Sequence, residues 1–277
     1  MRLNRTVACV ITAGGYLALR LLVLLIHPEA KYQYAALFLY PIVLMLAQVA
    51  FVVSYARIGL SSKRNIAIIV PSALLLAALI HYQSGVPTGS SAVALSVVST
   101  FHALALMLFA ASLGYLVSFI VREVNLLLPV ALFAGVMDAW NVFIGPLGRL
   151  IQSRPDIIEK VSVQMPSPVA AVSDTLIGMG DFLFLALYFA VLYRYSMNVK
   201  GAFWLVYVLL ALSMIYTMFI GGAVPALVPM GIGILIANIK RLRLTRQESL
   251  SIIFTGTALI IILIAVTAFF HIKASCG

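Results

Sequence analysis

Nine apolar runs follow one another along this chain, at roughly 7–26, 34–55, 65–82, 93–121, 126–148, 172–193, 201–220, 225–239 and 250–270. Most are about the length that carries an α-helix through the hydrocarbon of a bilayer. The eighth is short, and the fourth is long but too short for two spans, so tilt accounts for it. With 64% hydrophobic and only 9% charged residues, a soluble domain would lack the polar surface to cover itself. The expected fold is therefore an all-α polytopic membrane protein of about nine transmembrane helices.

The formal net charge of +10 does not point to nucleic acid, because the basic residues sit in short loops between the runs. With the N-terminus inside, the inner loops hold twelve lysines and arginines, from Arg2 to the cluster at 240–246, and the outer loops hold five. That bias predicts a cytoplasmic N-terminus and an outer C-terminus. Arg20, inside the first run, is expected to snorkel to the outer interface. The 240–246 cluster is expected to meet anionic lipid headgroups. The first run is too long for a signal-peptide core and is read as a retained span. Cys9 and Cys276 provide neither a disulfide framework nor a metal site. The longest loop, 149–171, contains Pro155, Pro166 and Pro168 and is expected to be irregular.

Against this background, aspartates inside apolar runs stand out, since an ionisable group there is expensive and marks function by default. Asp138 lies twelve residues into the fifth run, and Asp181 lies eight residues after Ser173 in the sixth. The second distance is about 12 Å along a helix. Consecutive spans run in opposite directions, so both carboxylates can reach similar depth. Two close carboxylates cannot both ionise cheaply, so such a pair shares one proton. One member can then activate water while the other protonates a leaving group. The alternative reading is that each aspartate separately caps or pairs with a polar neighbour, which two aspartates on adjacent spans make the weaker of the two.

Gly178 and Gly180 precede Asp181 and remove side chains where backbone, partner helix or substrate could approach; small-residue helix packing uses the same spacing. The stretch Gly221-Gly222-Ala223-Val224-Pro225-Ala226-Leu227-Val228-Pro229 interrupts helix. It is either irregular backbone beside a cavity or a tight turn with proline at a helix start. Ser173-Asp174 reads as an N-cap and first turn. Asn141 and Tyr188 stand at helical spacing from Asp138 and Asp181. His102 is read as an interhelical hydrogen-bonding group. No metal-binding spacing, phosphate-binding glycine loop or serine-nucleophile motif is present, and no cofactor is expected.

Taken together, Asp138, Gly178-Met179-Gly180-Asp181 and Pro225-Ala226-Leu227 resemble, in order and spacing, the motifs of the presenilin and signal peptide peptidase family of intramembrane aspartyl proteases. Asn141 to Leu150 and Phe182 to Tyr193 are also similar, so that the resemblance covers about 130–240. It implies a compact, prokaryotic-type member with a presenilin-like catalytic helix core. Asp138 and Asp181 would be the catalytic pair, and Gly178, Gly180, Pro225, Ala226 and Leu227 would shape the site and engage substrate. Met137 replaces the family's usual tyrosine and Met179 its usual leucine. Four spans rather than five precede Asp138, and one follows the Pro-Ala-Leu span.

On this reading residues 1–121 hold four N-terminal spans, 122–240 the catalytic membrane core, and 241–277 a basic loop and an additional span. The partners are transmembrane helices as substrates and the surrounding lipid. The charge bias orients Asp138's span as in signal peptide peptidases and favours substrates inserted with their N-termini inside. Two alternatives use the same aspartates. Prepilin peptidases share Gly-x-Gly-Asp but lack Pro-Ala-Leu. A proton-coupled secondary transporter would use 221–229 as a broken helix, although no internal repeat accompanies it.

Overall fold

The computed structural model describes residues 2–22, 30–85, 92–144, 160, 162–165, 175–220, 224–242 and 245–275. Each of the nine apolar runs holds one α-helix. These are α1 (Arg2–Leu22), α2 (Gln33–Arg57), α3 (Ser62–Gly85), α4 (Ala92–Val117) and α5 (Leu127–Phe143), then α6 (Met179–Arg194), α7 (Val199–Ile220), α8 (Leu227–Asn238) and α9 (Arg246–Ser275). The all-α architecture follows from the sequence as expected. Among the described residues, six helical stretches are long and apolar enough, by length and composition, to cross a membrane: those in α1 to α4, Val124–Phe143 and Val199–Phe219. Helix α8 has 12 residues, about 18 Å at 1.5 Å per residue, well short of a hydrocarbon core of about 30 Å.

Two strands were not expected. β1 (Ser162–Met165) and β2 (Thr175–Gly178) form an antiparallel pair in which Val163 faces Ile177 and Ser162 faces Gly178. β1 falls in the stretch expected to be irregular, and β2 occupies the start of the sixth apolar run. The β-branched Ile177 suits a pleated, half-buried surface. Ser173, Asp174, Gly221, Gly222 and Cys276 lie outside the described residues.

The chain divides into two compact units, one made of Met1–Ile120 with Asp156–Val199 and the other of Val121–Pro155 with Lys200–Gly277. The division cuts across the partition at 121 and 240, because α6 packs with the N-terminal helices.

In the first unit α4 is the central element, in contact with α1, α2, α3, α6 and β1. It is apolar on all sides, the pattern of a buried helix. Small residues let α6 come close. Ala110 and Ala111 are fully buried, and a Cβ on Gly114 would fall on the Leu183 carbonyl oxygen of α6. Three helices are joined by a buried polar cluster. Tyr55 of α2 donates to Asn65 Oδ1 of α3 at 2.7 Å, and Asn65 Nδ2 donates to the Ser112 carbonyl of α4 at 2.7 Å. Arg194, in the last turn of α6, donates to the Ser118 carbonyl at 2.7 Å and stacks over Phe119 at 4.5 Å.

Arg20 departs from expectation. It is 2% exposed and turns into the unit instead of outward. Its guanidinium donates to the Tyr16 hydroxyl at 2.8 Å and to Ser99 Oγ of α4 at 3.3 Å. Acceptors one helical turn back and across the α1–α4 contact take the place of the headgroup region.

In the second unit α5 packs against α8 and α9. The glycines of α8 set the distances. A Cβ on Gly231 would stand 3.4 Å from the Ala131 carbonyl of α5, and one on Gly233 would stand 2.9 Å from Val206 Cγ2 of α7.

Candidate active site

Asp138 is the twelfth residue of α5 and is partly buried. Opposite it, Val224, Pro225 and Ala226 lead into α8, whose first residue is Leu227. The first amides of a helix have no partner within it, and the N-cap position here, Ala226, has no side chain able to accept from them. The acceptor comes instead from another helix: the Leu227 N–H donates to Asp138 Oδ2 at 2.9 Å. Gly135, one turn before Asp138, makes this approach possible, since a Cβ there would stand 3.7 Å from Val228. Pro225 and Leu227 are buried, and Pro225 has no N–H of its own to satisfy. Two of the three sequence elements, Asp138 and Pro225-Ala226-Leu227, are thus joined by a backbone-to-carboxylate hydrogen bond across 89 residues. Beside Pro225 lies a largely apolar cavity of about 730 Å³, lined by α5, α7 and α8 and including Phe143, Ser213, Tyr216 and Pro229.

The third element belongs to the first unit. β2 ends at Gly178, whose backbone is still extended at φ −67° and ψ 148°, and α6 starts at Met179. Asp181 is therefore in the first turn of α6, not about 12 Å along a helix begun at Ser173. The helix cannot start earlier because residues 175–178 are committed to pairing with β1. A first-turn aspartate meets the positive end of the helix dipole. Phe182 and Leu185, which follow it in the helix, are both buried and anchor this end of α6.

The two glycines differ from the close-packing expectation. Among the described residues nothing stands within 4 Å of a Cβ placed on Gly180, and a Cβ on Gly178 would make only ordinary contact, 3.7 Å from Asp181 Oδ2. Among those residues no neighbour requires either glycine, and Gly180 is exposed. Tyr188 is fully buried and packs against Phe184 with ring centroids 6.0 Å apart. His102 is buried in α4. Among the described residues no group of three or more His, Cys, Asp or Glu could hold a metal ion.

Sequence reasoning missed two features of the site. One is β2, whose signal was the Thr-Leu-Ile triplet just before the glycines. The other is the Leu227 amide as the partner of Asp138, a backbone group that no residue pattern announces. Comparison with protein-family models, with curated proteins and with solved structures finds no match to this chain.

Proposed function

We propose that this protein is an intramembrane aspartyl endopeptidase of the presenilin and signal peptide peptidase type. On this reading it has nine membrane spans, an inside N-terminus, and a catalytic core of α5, α6 and α8. The observation that carries the reading is the hydrogen bond from the Leu227 amide to Asp138 Oδ2. It ties the Pro-Ala-Leu element to the first aspartate, a link that a coincidental motif match would have no reason to make.

The chemistry is that of a carboxylate pair sharing one proton. The ionised member takes a proton from water as the water oxygen attacks the scissile carbonyl, giving a neutral tetrahedral diol. The protonated member supplies a proton to the carbonyl oxygen; the member that took the water proton then protonates the amide nitrogen while the other removes a diol hydroxyl proton, and the C–N bond breaks with the pair again sharing one proton. The Leu227 amide holds Asp138 in place through Oδ2, leaving its second oxygen to face the water.

A peptide bond within a helix is shielded, so the substrate must be extended locally. β2 favours this step. One of its edges pairs with β1, and among the described residues no strand covers the other. An unwound substrate segment can add there as a strand, and β2 leads within three residues to Asp181. The open space at Gly180 leaves room for a backbone beside that carboxylate.

The direct test is cleavage of a helical transmembrane peptide by purified protein, with and without a transition-state-mimic inhibitor of aspartyl proteases. Inhibitable cleavage is expected. Asp138→Asn and Asp181→Asn should each abolish it while helix content and melting temperature stay near those of the parent. Full cleavage by either variant would overturn the mechanism.

A further inference from the structure

Where α1 begins, α2 ends and α3 begins, the first unit has an open cavity of about 480 Å³ lined by Thr6, residues 58–61 and Arg64. Gly59 turns the α2–α3 connection at φ +70°, a left-handed conformation natural to glycine. The Arg5 guanidinium lies over this turn. Its Nη1 donates to the Arg57 carbonyl at 3.5 Å and would stand 3.7 Å from a Cβ on Gly59. Arg5 is thereby drawn over the connection that walls the cavity. Arg64 supplies a second guanidinium, and Thr6 and Ser61 supply hydroxyls. Segments 2–6 and 57–64 contain Arg2, Arg5, Arg57, Lys63 and Arg64 and no acidic residue. The charges of Arg5 and Arg64 therefore have no carboxylate in these segments to neutralise them.

The surroundings of the cavity define what would fill it. Val10 lies one turn along α1 from Thr6 on the same face and is 65% exposed. Val7 and Ile11 are exposed beside it, as are Ile66 and Val70 on α3. A cavity with a guanidinium and two hydroxyls in its lining, and a second guanidinium over its wall, thus opens at the ends of helices whose flanks are apolar. A soluble anion would use only the first feature, whereas an amphiphile uses both. We propose that this cavity binds the phosphate group of an anionic lipid, with Arg5 and Arg64 as its charge partners, Thr6 and Ser61 as hydrogen-bond donors, and the acyl chains lying along α1. The site is independent of the two aspartates and of the proteolytic reading.

The test is titration of the detergent-solubilised full-length protein with phosphatidylglycerol, counting bound lipid by native mass spectrometry. One saturable site is expected, with phosphatidylcholine binding far more weakly. Arg5→Gln and Arg64→Gln should each weaken phosphatidylglycerol binding about fivefold. Arg64→Lys should retain most of the affinity, and Lys31→Gln, at the other end of α2, should leave it unchanged. Arg64 is exposed, so its replacement leaves the packed interior intact. Unchanged binding by the Arg5→Gln/Arg64→Gln double variant, or equal affinity for phosphatidylcholine, would overturn the proposal. Displacement of the lipid by millimolar inorganic phosphate would assign the cavity to a soluble anion and overturn the lipid assignment.

Discussion

A carboxylate inside a helix bundle is held by whatever donors can reach it, and for Asp138 the donor is a backbone amide. The first amide of α8 needs an acceptor, and Asp138 Oδ2 supplies one at 2.9 Å. Hydrogen bonds to charged groups contribute about 1.5–3 kcal/mol. On the proteolytic reading, replacing the Leu227 amide by an ester, which removes the N–H donor, should therefore slow peptide cleavage about tenfold or more. Leu227→Ala keeps the amide and should act chiefly through lost packing, so its effect on cleavage should be smaller than that of the ester. Equal activity of ester and parent would show that this bond does not position the aspartate. Arg20 illustrates the same economy at another residue. Surrounded by Tyr16 and Ser99, its guanidinium finds acceptors inside the first unit rather than reaching for headgroups.

Among the elements, α4 and α6 approach closely at Gly114, and the two glycines Gly114 and Gly180 separate stability from function. A methyl group on Gly114 would fall on the Leu183 carbonyl oxygen, which is backbone and cannot rotate away. Gly114→Ala should therefore push α4 and α6 apart and lower stability by about 1–3 kcal/mol, read as a lower melting temperature. Gly180→Ala meets open space and should leave the melting temperature within error while reducing cleavage, if a substrate backbone passes there. A Gly180→Ala variant with full activity would remove the glycine from the site. The strand pair β1–β2 belongs to this scale as well. Its pairing moves the start of α6 to Met179 and thereby puts Asp181 in the first helical turn.

Taken whole, the molecule places the two aspartates in different compact units, Asp138 with α8 and Asp181 with α4 and the strands. A shared proton requires the carboxylates to come within about 3 Å, so the proteolytic reading makes a demand on the assembled protein. In a background of Cys9→Ser and Cys276→Ser, cysteines at 138 and 181 should be joined rapidly by a short bifunctional thiol reagent, and a transition-state-mimic inhibitor should protect the parent protein's aspartates from carboxyl modification. A pair that never cross-links in the membrane-embedded protein would rule out the dyad.

The sequence by itself determined the helical class, because nine apolar runs cannot satisfy their backbones in any other way as economically. It also singled out Asp138, Asp181 and Pro225 to Leu227, because charge and proline are costly in such surroundings and therefore conspicuous. Tertiary structure alone decided that Asp138 is bonded to the Leu227 amide, since that contact joins residues 89 apart and the donor is backbone common to every residue. It alone decided that Asp181 begins a helix, because Thr175–Gly178 reads as the opening of an apolar span until Ser162–Met165 is available to pair with it. Local pattern governs which residues can be helical; where a helix starts, and what its first amides touch, is settled by partners far away in the chain.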